Sequence, residues 1–240
     1  MLISIEGGIG SGKSTVFRKL RKILNHKIGI VFVEEPVDEW MQNGFLKAMY
    51  DGTMSKATFQ QMALMSLVGD LQKALATSPA VIISERSPFS NYHVFAKANL
   101  SGDDLRMYEF SWKKLLAGLP PDLDVRYIFL EAPTHVLTHR IAKRMRIGED
   151  NVSIEYHETL KQLHDDWLKC VQNKVTLDAT NTEERIYTDA CIATDFWLHD
   201  AAMKHVQSTG TPFACAERLR EIQLNHAMSL SSIAQVKKGV

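Results

Sequence analysis

An α/β fold, with a five-stranded parallel sheet and helices on both of its faces, is the architecture this 240-residue chain predicts. Three observations predict it. Short β-branched apolar runs alternate with longer stretches of helical spacing. The runs are apolar on both sides, as strands covered on two faces require. The segments between them are long enough for the right-handed crossovers that join parallel strands. The strands fall at 2–5, 29–34, 81–84, 125–130 and 175–177, each ending where polar residues, Gly or Pro take over. After the first strand, Val16, Phe17, Leu20, Ile23 and Leu24 recur at helical spacing and predict a helix with one apolar stripe. Over 58–76, Phe59, Met62, Leu64, Val68, Leu71 and Leu75 approximate one face of a second helix. Regularity weakens after about His199, and Ser208-Thr209-Gly210-Thr211-Pro212 reads as a linker. The chain therefore divides into a main α/β unit, 1–199, and a C-terminal extension, 200–240, whose loose pattern through Leu219 and Ile222 points to no function.

Composition narrows the function classes. A hydrophobic content of 45% is enough for one substantial core. The 28 basic and 28 acidic residues balance, so no global attraction to nucleic acid or to an anionic membrane is expected, and any basic function must be local. Cys170, Cys191 and Cys215 show no paired spacing, which favours reduced thiols that serve packing in a reducing compartment. Neither a charged leader nor an 18-residue apolar run is present, and a cytoplasmic protein is expected.

The most specific signal lies between the first strand and the first helix. Gly7-Gly8-Ile9-Gly10-Ser11-Gly12-Lys13-Ser14-Thr15 contains G-x-x-x-x-G-K-S, the P-loop pattern. Gly7, Gly10 and Gly12 permit backbone angles closed to other residues, so successive N–H groups can face one concavity and hold phosphate oxygens. Lys13 adds a point charge and the Ser14 hydroxyl can ligate Mg²⁺, with the helix N-terminus beneath the phosphates. ATP and Mg²⁺ are the cofactors this implies.

In a doubly wound sheet, ligands gather beyond the carboxyl ends of the strands, so the residues that follow each strand come next. Glu35-Pro36 follows the second strand; Pro36 biases Glu35 to extended backbone, which aims its carboxylate toward the P-loop crevice as a candidate general base. Position alone leaves a solvated loop acid as an equal explanation. Trp40 could stack on a planar ligand, although a Trp beside a helix start is more often core. Glu85-Arg86-Ser87 follows the third strand, with Glu85 where P-loop proteins keep a Mg²⁺-organising carboxylate and Arg86 able to bind a carboxylate such as Glu35. Arg140, Arg144 and Arg146, with Lys143 among them, concentrate guanidinium groups after the fourth strand. A solvated basic face explains such a run taken alone, but the P-loop on the same chain favours an arginine-rich lid that closes on the transferring phosphoryl group.

Together, the P-loop string from Ile5, the Glu35-Pro36-Val37 turn with Trp40, the Glu85-Arg86-Ser87 triplet and the segment from Arg140 to Leu168 resemble the deoxynucleoside kinase family, of the deoxycytidine kinase, mitochondrial thymidine kinase and insect multisubstrate type. The resemblance runs from Leu2 to about His199. It implies a P-loop kinase that phosphorylates the 5′-hydroxyl of deoxynucleosides, and a homodimer. It further implies Glu35 as the base, Arg86 as its partner, Glu85 as the Mg²⁺-organising acid and Arg140, Arg144 and Arg146 as lid arginines. Tyr50 and Glu149 would hold the sugar 3′-hydroxyl. Gln60 would read the base through its amide, with Gln61 the alternative, while Ala63 and Leu67 would form pocket wall. Asp178 and Asn181, in the loop after the fifth strand, would contact the donor adenine. Asn91 departs from the pattern, because relatives carry Asp there for purines and cytosine or Ala for thymidine. With Leu67 offering no positive partner for an acid, a neutral Asn91 points to pyrimidines, thymidine and deoxycytidine.

Two other readings stay open on the sequence. A nucleoside monophosphate kinase of thymidylate type shares the sheet and the P-loop, but its acceptor already carries about two negative charges and Glu35 would repel it. A non-enzymatic nucleotide switch explains Gly7 to Thr15 equally well, yet gives no reason for the acids and arginines after the other strands.

Overall fold

The computed structural model describes residues 1–25, 29–144 and 153–209. Its elements run β1 (Leu2–Gly7), α1 (Lys13–Leu24), β2 (Ile30–Val33), α2 (Val37–Gln42), α3 (Phe45–Tyr50), α4 (Lys56–Ala76) and β3 (Val81–Glu85). A short α5 (Pro88–Ser90), a π-helical turn (Asn91–Ala96) and α6 (Lys97–Asn99) lead into α7 (Gly102–Leu116). Then come β4 (Val125–Glu131), α8 (Thr134–Arg144), α9 (Ile154–Lys169), β5 (Lys174–Asp178) and α10 (Glu183–Thr209). All four strand pairings are parallel and the order is β2-β3-β1-β4-β5. The expected α/β class with five strands is therefore what the chain adopts.

Period-two alternation divides the apolar residues between the sheet's two faces. Ile3 and Ile5 of β1, Val81 and Ile83 of β3 and Ile128 and Leu130 of β4 share one core with Val16, Phe17 and Leu20 of α1, Leu137 of α8 and Trp197 and Leu198 of α10. Leu2 and Ile82 point the other way, into a cluster with Leu71 and Ala74 of α4. Tyr127 and Phe129 of β4 pack on Leu168 of α9. Each fully buried Leu, Ile or Phe in these layers contributes about 1.5–3 kcal/mol, so strand identity follows from which face each side chain must reach. Ile23, expected in the α1 stripe, is exposed instead; the stripe is already completed by Leu20 and Leu24.

α10 does not stop at the expected boundary near residue 199. It continues to Thr209, with Trp197, Leu198 and Ala202 buried. Arg126 of β4 fastens it: one guanidinium nitrogen lies 2.7 Å from Asp124 and 2.5 Å from Asp200, and the group sits 5.9 Å from the Trp197 ring. The expected linker begins inside this helix at Ser208 and otherwise lies, with the rest of the extension, outside the described residues. Cys170, expected to pack, is exposed, while Cys191 is half-buried; neither forms a disulfide among the described residues. Among the described residues no helix is long and apolar enough to cross a membrane.

Candidate active site

β1 is the central strand, and its carboxyl end feeds directly into the P-loop. Gly10 has φ 82°, and a Cβ there would come within 3.0 Å of Ile141 and of the Leu137 carbonyl. Only glycine accepts both that torsion and that closeness. At Gly7 a Cβ would meet the Leu130 carbonyl at 2.6 Å, so β4 forbids any side chain where the loop leaves the sheet. The Lys13 ammonium folds over the loop and donates to the carbonyls of Gly7 at 3.1 Å and Gly8 at 3.0 Å. Burial, and then the neighbouring Arg86, push its pKa down to about 7. Negative charge placed against the ammonium would raise it again.

The P-loop separates two adjoining cavities that share Gly10, Lys13, Ser14, Arg18 and Arg144. Ser11, Gly12, Thr15, Arg140 and Asn181 line one of them, which wraps the N-terminus of α1. Arg140 donates at 2.7 Å to the Ala179 carbonyl and ties α8 to the loop after β5. Asp178, expected beside Asn181, turns its carboxylate onto the backbone N–H and hydroxyl of Thr180 at 2.8 and 2.6 Å and is not among the lining residues. It shapes the turn on which Asn181 stands.

The second cavity opens between the ends of β2 and β3 and the helices α2, α3 and α4. Ile9, Glu35, Trp40, Tyr50, Gln60, Ala63, Glu85, Arg86 and Asn91 all line it. Glu35 is turned inward, with its Oε1 accepting from Arg86 Nε at 2.8 Å. Arg86 is buried, 4.0 Å from Glu6 and with its guanidinium 4.3 Å above the Phe95 ring. It holds this position on a left-handed backbone, φ 65°, which costs a non-glycine residue roughly 1–3 kcal/mol and is found where surrounding structure over-determines the conformation. Glu6 lies wholly buried beneath, and its Oε1 accepts from Ser4 and Ser87, both at 2.7 Å. Burial raises its pKa, opposed chiefly by Arg86. Glu85 accepts from the Ser14 hydroxyl at 2.6 Å; burial, then Glu35, raises its pKa.

Trp40 serves as core and wall at once, since it is buried edge-on against Phe59, donates to Ser66 at 3.3 Å and still borders the cavity. Gln60 rather than Gln61 is the amide on the cavity: Gln61 leans away toward Ser111 at 3.4 Å. Leu67, expected as wall, is buried one turn beyond Ala63 and does not reach the lining. Arg146 and Glu149 lie outside the described residues. Among the participants that went unnoticed in the sequence are Glu6, Phe95 and Tyr156. Glu6 carried a signal, a charge in an otherwise apolar strand next to a P-loop. Phe95 reaches the cavity only because the π-helical turn carries it there. Tyr156 arrives from α9, where its hydroxyl meets Asn99 at 2.8 Å.

A model of the deoxynucleoside kinase family matches residues 3–202 of this sequence. The chain belongs to the deoxynucleoside kinase family. A thymidine kinase of Ictalurid herpesvirus 1 is 29% identical over 78% of this chain and 82% of its own length. A probable deoxycytidine kinase of fowlpox virus is 31% identical over 69% of this chain and 71% of its own. The solved structure of deoxyadenosine kinase from M. mycoides with bound dATP superposes with a TM-score of 0.65 at 24% identity, covering 78% of this chain and 96% of that one. This deoxynucleoside kinase is accordingly a phosphotransferase with the P-loop kinase fold. Its relatives' names divide among different bases, so the base must be sought in the side chains.

Proposed function

We propose that this enzyme transfers the γ-phosphoryl group of ATP to the 5′-hydroxyl of pyrimidine deoxynucleosides, in nucleotide salvage. One observation carries the reading: an inward carboxylate, Glu35, stands in a cavity that adjoins the phosphate-binding loop and shares Lys13 and Ser14 with it. Arg86 occupies one oxygen of Glu35, which orients the carboxylate and leaves the other oxygen to accept the proton of an attacking hydroxyl. Lys13 and the P-loop N–H groups would hold the β- and γ-phosphates, and Arg140 and Arg144, joined by Arg146, would balance the charge that spreads over the phosphoryl oxygens in a loose transition state.

The Ser14 hydroxyl and the Glu85 carboxylate, 2.6 Å apart, offer the hard oxygen donors that Mg²⁺ takes in phosphate sites. Among the described residues no group of three or more His, Cys, Asp or Glu could hold a metal; in phosphate sites Mg²⁺ takes its remaining ligands from phosphate and water. When bound, Mg²⁺ would neutralise charge on the β- and γ-phosphate oxygens.

In the acceptor cavity, Tyr50 and Glu149 would hold the 3′-hydroxyl, Gln60 and Asn91 would face the base, and Phe95 and Ala63 would flank it. Asp178 would act through the turn that presents Asn181. A homodimer is the assembly we favour, because Met65 of α4 and Met107 and Phe110 of α7 are exposed on adjacent helices. We take 1–199 as the catalytic unit and a cytoplasmic setting, in accord with two cysteines, Cys170 and Cys191, that form no disulfide among the described residues. Supplying ATP and Mg²⁺ with each of the four deoxynucleosides, and with thymidine monophosphate in parallel, tests the reading. Nucleoside-dependent ADP release is expected with the pyrimidines, and turnover confined to the monophosphate would overturn it.

A further inference from the structure

Gln60 of α4, Asn91 of the π-helical turn and Tyr108 of α7 form a buried chain of uncharged polar groups. The Tyr108 hydroxyl donates to Asn91 Oδ1, and Asn91 Nδ2 donates to Gln60 Oε1 at 3.1 Å. Gln60 and Asn91 also line the acceptor cavity, whereas Tyr108 lies behind them with no exposed surface.

A primary amide is nearly the same shape when turned over, but its oxygen accepts and its nitrogen donates. Something must therefore set the direction of the chain, and its buried end does. Burial, reinforced by Tyr92, raises the Tyr108 pKa, so the phenol keeps its proton and must donate it. Asn91 Oδ1 is the acceptor it has among the described residues. Turning Asn91 over would set two donors against each other and leave a buried O–H unsatisfied, disfavouring that state by roughly one to two orders of magnitude. With Asn91 so fixed, Gln60 must offer Oε1 to it and keep Nε2 on the far side. One Asn91 N–H, one Gln60 lone pair and the Gln60 N–H groups remain for a ligand. Along the hydrogen-bonded chain they run donor, acceptor, donor.

We propose that Tyr108 is a specificity-determining positioning residue: it locks Asn91 and Gln60 into a donor-acceptor-donor row that fits the O4, N3–H, O2 edge of thymine or uracil and rejects cytosine. Cytosine presents donor, acceptor, acceptor and meets the row with like against like at two of its three groups. Guanine fails at its 2-amino group and adenine at its 6-amino group. The proposal rests on the kinase reading above and narrows its substrate from pyrimidines to the thymine edge.

The test compares kcat/KM for thymidine and for 5-methyl-2′-deoxycytidine, which share the methyl group and differ only in the edge, in the wild-type chain, Tyr108→Phe and Asn91→Asp. The wild type should favour thymidine by about tenfold or more. Tyr108→Phe frees Asn91 to turn over, and the ratio should fall by about tenfold. Asn91→Asp keeps the shape but offers only acceptors while ionised, obliging Gln60 to turn its Nε2 inward, and the preference should reverse. A merely structural Tyr108 would lower both substrates together and leave the ratio where it was. An unchanged ratio in a folded Tyr108→Phe overturns the proposal; if that variant does not fold, an unchanged ratio in the isosteric Asn91→Asp does so. A wild-type enzyme that turns over both nucleosides without preferring thymidine overturns it too, while leaving the kinase reading intact. A folded wild type that phosphorylates neither removes the kinase reading and the proposal together.

Discussion

Replacing Glu35 by Gln separates chemistry from architecture at the centre of the site. Gln keeps a carbonyl oxygen where Glu35 Oε1 accepts from Arg86 Nε at 2.8 Å, so the hydrogen bond survives and loses only its ionic character. The difference between charged and neutral hydrogen bonds is about 1 kcal/mol, and for a chain of this size that corresponds to a fall of about 2–4 °C in Tm. Arg86 retains Glu6 at 4.0 Å and the Phe95 ring at 4.3 Å, so the guanidinium should stay in place. The chemical loss is much larger. A missing general base lowers kcat by roughly 10²–10⁴, which is about 2.7–5.4 kcal/mol of transition-state stabilisation. ATP affinity should change by no more than about threefold, since in the proposed reading Lys13 and the P-loop would hold the phosphates, at a different wall of the cavity. Nucleoside-dependent ADP release measures kcat, calorimetric titration measures ATP affinity, and a thermal scan measures Tm. Turnover within tenfold of wild type, in a protein that still binds ATP, would refute Glu35 as the base.

Two further outcomes follow from other parts of the molecule. Glu85→Gln should leave the fold intact, because Ser14 can still donate to the amide oxygen, yet should raise the Mg²⁺ concentration needed for half-maximal turnover by about tenfold; an unaltered Mg²⁺ titration would free Glu85 from that role. His164 is 1% exposed, stacked on Phe129, with Nδ1 bonded to the Leu160 carbonyl at 2.8 Å, and burial, then Arg86, pushes its pKa down to about 3. The unfolded chain takes up this proton below about 6.5 and the folded chain does not, so stability should fall as pH drops from about 6.5 toward 3, with a slope approaching 1.4 kcal/mol per pH unit from this group. Urea unfolding of wild type and His164→Asn at pH 7 and pH 5 should show the wild type losing more; equal losses would remove His164 as the cause.

What was legible in the sequence is what depends on local pattern. β1 and the P-loop could be read because a short apolar run, Leu2 to Ile5, leads straight into a glycine spacing that leaves few alternatives, and Glu35 because Pro36 constrains the residue before it. Glu85 and Arg86 were found by position after a strand, although nothing in the string announced the left-handed torsion of Arg86. The π-helical turn was not legible, since its period follows no common apolar spacing, and with it went the placing of Phe95. Tyr108 was hidden for another reason: it stands 17 residues from Asn91 on a different helix, and only the packing of α7 against the π-helical turn makes them neighbours. Leu67, carried over from the resemblance, is not in the cavity wall because matching a position along α4 does not say how far along the helix the empty space extends.

The fastening of α10 by Arg126 bears on how the molecule can be shortened. A chain cut after His199 would lose Asp200 and Ala202, leaving a guanidinium with 8% of its surface exposed to share Asp124 alone. A cut after Thr209 would spare that anchorage. Trimming the last thirty-odd residues and trimming the last forty are thus physically different operations: the first removes only chain that follows the anchored helix, while the second pulls a bolt from β4, the strand beside the one that feeds the P-loop.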